Sequence, residues 1–337
     1  MQRAAVRDVT YGGAGAIALE AGRYQAIVLP SIGGHLVALR DELAGLRFLR
    51  EPLAHEGDDL SRYREDPIPY GVPLLFPPNR IADGRFTFGG HTYRFPINEP
   101  ALRNHLHGFF AKDAWEVTAR EVEGESARLV LRRRLRDGDE VYSLFPHPLT
   151  LELHHTLTPE GLRHELRVRN DGERPMPLLV GFHTALKIPF APEGSATDCS
   201  VAMNLGLQWE LSERKLPTGR QIPLDAMAQA IAQGSGDPFA HPVDALFDAA
   251  TGDGPNECSV LDRRAGMRFL YQTDRAYRAW MLWNGDGRSG FLCAEPMTCL
   301  VNAPNLALPD AVSGMQSLAP GAQWSAWSRL FAREERG

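Results

Sequence analysis

Short runs of alternating apolar and polar residues constrain the fold of this chain more than any other feature. Residues 150–157 (TLELHHTL) and 162–168 (LRHELRV) each place leucine, valine or histidine on one face and polar side chains on the other. Residues 158–161 (TPEG) between them have the composition of a turn. Alternation of this kind is typical of half-buried strands. The segment therefore predicts an antiparallel hairpin with one dry side.

The same alternation recurs along the chain and leaves little room for helices. Glycine (32 residues) and proline (25 residues) are frequent, which is typical of a sheet-rich sandwich or barrel. The best helical candidate is 224–233, which is rich in alanine and is followed by Gly234. We expect a single all-β domain over residues 1–337. Further strands are predicted at residues 115–119, 127–135 and 267–273.

Bulk composition narrows the functional classes. A net charge of -6 and a pI of about 6.0 argue against a dedicated nucleic-acid surface. The four cysteines form no C-x-x-C pair, which argues against a zinc or redox site. The N-terminus has no hydrophobic signal core, and no apolar run approaches the roughly 20 residues that span a bilayer. We expect a soluble cytoplasmic protein with no nucleic-acid, membrane or metal partner.

Residues 71–115 concentrate polar side chains in a run that is rich in turn residues. The first part, 71–78 (GVPLLFPP), is apolar and broken by proline, so it is neither a helix nor a central strand. Asn79 and Arg80 follow directly, and His107 lies further along. A rigid loop that presents these side chains suits a ligand rich in hydroxyl groups. Because any hairpin can carry polar residues on its wet face, a structural role stays open.

Three later residues are candidates for chemistry. His183 follows the apolar sequence PLLVGF, Asp244 precedes apolar residues, and Glu295 ends an apolar strand before Pro296. Partial desolvation of Glu295 would raise its pKa and improve it as a base. Histidine and glutamate are suitable for proton transfer, since imidazole titrates near neutrality. The structural alternatives are a hydrogen-bonded histidine, a turn or cap aspartate, and a glutamate that faces water.

Together these segments resemble the aldose 1-epimerase (galactose mutarotase-like) family. The likeness extends over residues 24–331, and the family's markers occur in the right order. One such marker is weak evidence, whereas five in order are specific. They are Asn79-Arg80-Ile81 with Gly84 and Phe86, Leu106-His107-Gly108 with Trp115, Gly181-Phe182-His183-Thr184, Asp244 with Phe247, and Glu295-Pro296.

The resemblance implies both a fold and an activity. The family fold is a large antiparallel β-sandwich with few short helices and an open cleft on one sheet. Family members interconvert the α and β anomers of free aldoses without a cofactor or a metal. The implied site consists of Glu295 as general base, His183 as general acid, His107 near the anomeric end, and Asn79, Arg80 and Asp244 as binders of sugar hydroxyls.

Mutarotation needs only two proton transfers around a hemiacetal. We therefore expect the acid and the base on either side of the C1–O5 unit of the sugar. Arg80 is expected to offer a fixed fork of donors to paired hydroxyls, and Asp244 is expected to offer acceptors. The expected partner is a small-molecule sugar, and the chain is expected to be a monomer or a homodimer.

Two departures from the family pattern leave the preferred sugar open. Residues 184–186 (TAL) replace a common aromatic pair, and residues 280–284 (WMLWN) lack a common Tyr-Thr. Both changes are expected to reshape the wall of the cleft. A hexose 6-phosphate would need extra arginines at the cleft, for which Arg103 and Arg288 are the candidates.

Two functions from other classes also fit the residues. A carbohydrate-binding or sensing protein would keep the cleft without useful turnover. A glycosidase would use Glu295 and Asp244 as a carboxylate pair, separated by roughly 5–5.5 or 6.5–9.5 Å.

Overall fold

Antiparallel strands are the main structural element of the molecule. The computed structural model describes residues 3–53, 59–237, 239, 241–250 and 252–335. The α-helices in these residues are α1 (Ser61–Glu65), α2 (Ala226–Ala232) and α3 (Asp310–Ser313). Single 3₁₀ turns lie at Pro100–Leu102, Phe110–Lys112, Glu140–Ser143, Ala196–Asp198 and Ala303–Asn305. The strands, in chain order, are β1 (Ala5–Tyr11), β2 (Ala14–Ala21), β3 (Tyr24–Leu29), β4 (His35–Asp41), β5 (Leu46–Arg47), β6 (Leu74–Leu75), β7 (Arg80–Ala82), β8 (Arg85–Phe88), β9 (His91–Arg94), β10 (Asn104–Leu106), β11 (Glu116–Glu123), β12 (Ser126–Leu135), β13 (Leu149–Thr158), β14 (Gly161–Asn170), β15 (Met176–Leu178), β16 (Gly181–Phe182), β17 (Thr184–Lys187), β18 (Cys199–Met203), β19 (Leu205–Leu211), β20 (Pro217–Ile222), β21 (Asp244–Ala249), β22 (Asn256–Asp262), β23 (Met267–Thr273), β24 (Ala279–Trp283), β25 (Phe291–Met297), β26 (Gln316–Leu318) and β27 (Gln323–Glu334).

Most of these strands belong to three sheets. The N-terminal sheet has the order β1-β2-β3-β4-β5. The back sheet has the order β11-β12-β13-β14-β27-β23-β22-β18. The cleft sheet has the order β20-β19-β21-β24-β25-β16-β6, and β17 also pairs with β25. Neighbouring strands in the back and cleft sheets are antiparallel. The prediction of a large antiparallel β-sandwich with few short helices is confirmed.

The main core lies between the back sheet and the cleft sheet. Leu153 and Leu166 of the back sheet belong to the same buried cluster as Phe182 and Trp280 of the cleft sheet, and none of them is more than 2% exposed. The Phe182 ring lies 4.7 Å from the ring of His164 on the back sheet, measured between centroids. Full burial of one large apolar side chain stabilises the fold by about 1.5–3 kcal/mol. The contact between Phe182 and His164 therefore helps to hold the cleft sheet against the back sheet.

The local predictions for the hairpin and the helix are confirmed. β13 and β14 pair antiparallel over their whole length, and the chain turns after Thr158. The strands predicted at 115–119, 127–135 and 267–273 correspond to β11, β12 and β23. The predicted helix is α2, which begins two residues later than expected. Its start is set by Asp225, whose side chain accepts a hydrogen bond from the Ala228 N–H at 2.8 Å.

No helix in the described part of the chain is long and apolar enough to cross a membrane. The same part of the chain contains no group of three or more histidine, cysteine, aspartate or glutamate side chains that could hold a metal ion. All four cysteines are buried free thiols. That residues 1–337 form a single domain stays a prediction.

Candidate active site

One cavity of about 280 Å³ lies against the cleft sheet. Asp66, Ile68, Pro69, Met281 and Trp283 are among the residues that line it. Every residue predicted for the site also lines this cavity, namely Asn79, Arg80, His107, His183, Asp244 and Glu295. The structure thus collects side chains from distant parts of the sequence, although their roles stay predictions.

His183 and Glu295 meet because they face each other across neighbouring strands. β16 and β17 pair with β25 in one continuous register, in which Thr184 lies opposite Ala294. Continuing that register by one residue places His183 opposite Glu295. Directly opposed residues in an antiparallel pair carry their side chains on the same face and close together. The local strand pairing therefore builds the contact between these two side chains.

Pro296 interrupts the strand ladder beside this pair. It lies within β25 and has no N–H to donate, and β16 and β17 are separated at His183. The His183 N–H instead donates to the Pro73 carbonyl at 3.0 Å. The prediction that Glu295 ends its strand is wrong, because β25 continues through Pro296 to Met297. Glu295 is thus an interior residue of the strand, and it is only 1% exposed.

The His183–Glu295 pair combines direct contact with nearly complete burial. His183 Nε2 lies 3.1 Å from Glu295 Oε1, which is a hydrogen-bonding distance. Burial raises the pKa of Glu295 well above its usual range, and the Asp244 charge adds to the shift while Arg80 opposes it. Burial also lowers the pKa of His183 to about 3, and the Arg50 charge contributes. Since burial disfavours both charged forms, one exchangeable proton is shared between the two groups near neutral pH.

The expected placement of the acid and the base on either side of the C1–O5 unit of the sugar stays a prediction. His183 and Glu295 are cross-strand neighbours that contact each other directly. Glu295 Oε2 and His183 Nδ1 are buried and have no hydrogen-bond partner of good geometry among the described residues, although the Asn79 side chain is close enough to the Glu295 carboxylate to lower its pKa. The carboxylate therefore still has one oxygen available for a ligand. A hemiacetal carries both of its reacting oxygens on one carbon, so adjacent groups are able to serve both.

A glycine-dependent loop holds His107 in the site. His107 and Asn79 have left-handed backbones with φ of 65° and 53°, a conformation for which asparagine and histidine are enriched. The His107 N–H donates to the Asn79 carbonyl at 2.9 Å. Gly108 follows with φ of 68°, and a Cβ there would lie 2.2 Å from the Phe76 carbonyl oxygen. The loop places the His107 and His183 rings perpendicular to each other, with centroids 5.2 Å apart.

The His107 imidazole is neutral in this environment. Burial lowers its pKa well below the usual range, and the nearby charged forms of His183 and Arg80 lower it further. His107 Nδ1 is buried without a hydrogen-bond partner among the described residues. The ring is therefore suited to exchange a hydrogen bond with a ligand rather than to act as a fixed charge.

Arg80 is held by a carboxylate that the sequence reasoning missed. Its Nε lies 2.9 Å from Glu99 Oε2, and its Nη2 lies 3.0 Å from Glu99 Oε1. The Asn104 amide donates to Glu99 Oε2 at 2.9 Å. Burial alone would raise the pKa of Glu99, but the hydrogen bonds from Arg80 and Asn104 outweigh it and lower the pKa. Glu99 therefore occupies one edge of the guanidinium, and the role of Arg80 as a donor to paired hydroxyls stays a prediction for its remaining N–H groups.

Asp244 has a partner that the sequence reasoning also missed. It is the first residue of β21 and lies opposite Trp283 on β24. Lys215 Nζ lies 3.3 Å from Asp244 Oδ2. Lys215 belongs to the turn between β19 and β20, where its backbone is left-handed with φ of 58°. Neither Lys215 nor Glu99 has a local sequence signal, since each acquires its role only through a tertiary contact.

The two arginines proposed for a phosphate group lie outside the cavity. Arg103 pairs with Asp83 at 3.0 Å, and its side chain is 76% exposed. Arg288 is also exposed, and neither arginine is among the residues that line the cavity. The described cavity residues therefore lack the extra cations that a hexose 6-phosphate was expected to need.

The two segments expected to reshape the cleft wall lie differently in the structure, and their effect on the preferred sugar stays a prediction. Met281 and Trp283 line the cavity. Thr184 points instead into the core between the sheets, where its hydroxyl donates to the Tyr271 hydroxyl at 2.9 Å. Strand alternation explains this result, since the side chains that flank His183 in sequence face the opposite side of the sheet.

A larger cavity of about 480 Å³ lies near the other end of β21, around Asp248. Asp248 accepts hydrogen bonds from Trp209 Nε1 at 2.7 Å and from Gln221 Nε2 at 2.6 Å. Its carboxylate is therefore already engaged within the protein. Because none of the predicted site residues lines this cavity, the smaller cavity is the candidate active site.

Comparison with known protein families gives one match along most of the chain. Residues 15–330 match the sequence model of the family described as aldose 1-epimerase. Curated relatives match over a shorter part of the chain. The uncharacterised protein YihR of Escherichia coli K12 is 27% identical over 172 residues, which cover 50% of this chain and 49% of YihR. Mouse galactose mutarotase is 26% identical over 171 residues, covering 50% and 47%. The match spans about half the length of these relatives.

Solved structures resemble the chain over nearly its whole length. A galactose mutarotase-like protein from Clostridium acetobutylicum is 30% identical with a TM-score of 0.94, and the match covers 98% of this chain and 99% of that chain. Galactose 1-epimerase from Lactobacillus acidophilus NCFM is 17% identical with a TM-score of 0.75, covering 99% and 100%. At that lower identity the likeness concerns the fold alone.

Proposed function

Because the chain belongs to the aldose 1-epimerase family, we propose that it is a mutarotase that interconverts the α and β anomers of a free aldose. The reaction opens the sugar ring at C1 and closes it again with the C1 hydroxyl on the other face. It needs a base for the proton of that hydroxyl and an acid for the ring oxygen. Substrate and product are isomers, so no oxidation and no group transfer take place.

The direct contact between His183 and Glu295 carries this proposal. Ring opening starts from the form of the pair in which the shared proton lies on His183 and Glu295 is the carboxylate, which burial makes the less stable of the two forms. Glu295 then takes the proton of the C1 hydroxyl while His183 gives its proton to the ring oxygen. The pair holds one proton before and after the step, so a turnover needs no proton exchange with solvent. Positioned general acids and bases typically contribute roughly 10²–10⁴-fold each.

Burial of the pair favours its uncharged form, which is the form that ring opening leaves behind. The pair begins as imidazolium and carboxylate and ends as imidazole and carboxylic acid. Burial raises the pKa of Glu295 and lowers the pKa of His183, so the uncharged end state is the one that the site favours. After rotation about C1–C2 presents the other face of the aldehyde, the reverse transfers close the ring as either anomer.

The remaining cavity residues suit the hydroxyl groups of a sugar. Glu99 occupies one edge of Arg80, and a guanidinium has five N–H donors, so further donors are available to sugar oxygens. Asp244 supplies acceptors, and Asn79 lies beside Arg80. Each charge-assisted hydrogen bond contributes roughly 1.5–3 kcal/mol. The positions of Arg103 and Arg288 outside the cavity favour an unphosphorylated sugar.

Anomer exchange in freshly dissolved sugars tests the proposal. Polarimetry and NMR exchange spectroscopy on a panel of aldoses are expected to show saturable acceleration for at least one sugar. Saturable binding with no rate above spontaneous mutarotation would instead indicate a binding or sensing protein. Release of reducing sugar from glycosides would indicate a glycosidase.

A further inference from the structure

The two charged side chains proposed to bind sugar hydroxyls are each tied to a residue outside the cavity. Arg80 is tied to Glu99, and Asp244 is tied to Lys215. Lys215 belongs to the short turn of residues 212–216, which connects β19 to β20, and Glu99 is connected to the same turn through Asn104. We call this segment the clamp turn.

Arg214 of the clamp turn fixes the segment that carries Glu99. Its Nε donates to the Leu102 carbonyl at 2.9 Å, and its Nη2 donates to the Arg103 carbonyl at 2.8 Å. The fully buried Asn104 amide donates both to Glu99 Oε2 at 2.9 Å and to the Arg214 carbonyl at 3.1 Å. The chain of contacts from Arg214 to the guanidinium of Arg80 is therefore continuous.

Lys215 extends the clamp turn to Asp244. The turn is closed on itself, since the Lys215 N–H donates to the Ser212 carbonyl at 2.9 Å and the Ser212 N–H donates to the Leu216 carbonyl at 2.8 Å. The Lys215 and Asp244 side chains are 41% and 23% exposed. Ion pairs of such exposure contribute little to stability. The contact therefore has more influence on where Asp244 points than on whether the chain folds.

We propose that Arg214 and Lys215 are positioning residues that fix the separation of Arg80 and Asp244 from a single turn, and so determine which arrangement of sugar hydroxyls the cavity accepts. This inference rests on the proposed function, because it assigns a role to the grip on the sugar. Because both contacts start from one closed turn, a shift of that turn moves both of them. A change in either residue therefore alters the spacing of the donors and acceptors that the sugar meets.

The positive charge of Lys215 also partly compensates the negative charge of Asp244, which acts on the pKa of the proposed base Glu295. The charged and titratable groups that face Glu295 are His183, Asp244, Arg80 and the buried thiol of Cys293. Asp244 raises the pKa of Glu295. Removing the Lys215 charge leaves Asp244 less compensated, so the pKa of the base rises further. A merely structural role for Lys215 would produce no such shift.

The test compares Arg214→Met and Lys215→Met with Arg220→Met. Arg220 lies on the same hairpin and pairs with Glu210 on the exposed surface, which makes it a matched control. We expect R214M to raise KM roughly tenfold with a smaller loss in kcat, as for one or two lost hydrogen bonds. We expect K215M to raise KM several-fold and to shift the upper pKa of the pH–rate profile upward by roughly 0.5 unit. Lys215→Arg is expected to restore both values, and R220M to behave as the wild type.

Sugar preference supplies the second readout. Ratios of kcat/KM for aldoses that differ at one hydroxyl are expected to change in R214M and K215M but not in R220M. Melting temperatures identify any loss of folding in R214M, and K215M, at a partly exposed residue, is expected to leave the fold intact. Variants with the KM, sugar ratios and pH profile of R220M would overturn the proposal while leaving the mutarotase function in place. A wild-type protein that neither binds nor accelerates any sugar would overturn the function itself, and the proposal with it.

Discussion

The active-site pair His183–Glu295 has a counterpart in the core, the pair His155–His164. Each pair consists of directly opposed residues on neighbouring antiparallel strands. All four residues are at most 3% exposed. The His155 and His164 rings lie with centroids 4.7 Å apart. Strand register thus creates both pairs in the same way.

The pairs differ in what surrounds them. His183 contacts a carboxylate and borders a cavity. Both ring nitrogens of His155 and of His164 lack hydrogen-bond partners among the described residues. Burial lowers the pKa of His164 to about 3 and the pKa of His155 well below its usual range. A perturbed pKa is therefore common to both pairs, and the proton acceptor and the access to a ligand distinguish the candidate active site.

Removing one member of the active-site pair should have the largest effect. Glu295→Gln and His183→Asn each eliminate one proton transfer, so we expect kcat for anomer exchange to fall by roughly 10²–10⁴-fold. The double variant should lose little more than the worse single variant, because the two groups share one proton. NMR exchange rates at saturating sugar measure the loss.

The corresponding core variants provide the contrast. His155→Leu and His164→Leu should leave the exchange rate at pH 7.5 near the wild-type value. If E295Q and H183N were as active as these two variants on every sugar that the wild type converts, the assigned mechanism would be wrong.

The core pair should instead affect how much the free energy of unfolding decreases at acidic pH. A histidine with a folded pKa near 3 and an unfolded pKa of about 6.5 binds its proton only after unfolding, so stability is lost as pH falls below the unfolded value. At pH 5.5 each such histidine destabilises the fold by about 1.4 kcal/mol relative to high pH. H155L and H164L should each recover that amount. Urea unfolding at pH 7.5 and pH 5.5 measures the difference.

An apolar replacement should also help at neutral pH. Each buried nitrogen without a partner costs about 1–3 kcal/mol of desolvation, and leucine has no such atom. Equal stability losses on acidification in the wild type and in both variants would show that other buried histidines, such as His35 and His147, dominate the acid response.

Each pair also has one aromatic neighbour, and this allows a finer comparison. Trp283 lies edge-on to His183 with centroids 5.7 Å apart, as Phe182 does to His164 at 4.7 Å. Trp283 lines the cavity, whereas Phe182 is buried in the core. We expect Trp283→Phe to change relative kcat/KM among aldoses by roughly two- to fivefold. The effect is small because phenylalanine keeps an aromatic ring at this place and removes only part of the apolar surface of the indole.

Phe182→Leu is the matched change on the core side. It should lower the free energy of unfolding by about 1 kcal/mol and leave the sugar ratios unchanged. Sugar ratios that move equally in both variants would mean that the wall of the cavity does not select the sugar.

The sequence predicted different features of the core pair and of the active-site pair. Alternation alone placed His155 and His164 on the dry face of the hairpin, and family markers predicted the residues that line the cavity. Direct contact between His183 and Glu295 was not predictable, because it depends on the register of β16 and β17 against β25. The roles of Glu99 and Lys215 were not predictable for a related reason. Charged residues are common in turns, and only the tertiary structure shows that these two contact Arg80 and Asp244.

The smallest expected change is in the pH dependence of catalysis. Activity requires one proton on the active-site pair. The pKa of His183 is lowered to about 3, so a second proton is scarce at pH 5.5. The pKa of Glu295 is raised well above its usual range, so the last proton leaves only at higher pH. Between pH 5.5 and 7, kcat/KM per folded molecule should therefore vary by less than about twofold, while the free energy of unfolding falls over the same interval. Stopped-flow polarimetry with the folded fraction measured in parallel would separate these responses, and an inflection in kcat/KM at pH 6.5 would show that His183 titrates as an ordinary exposed histidine.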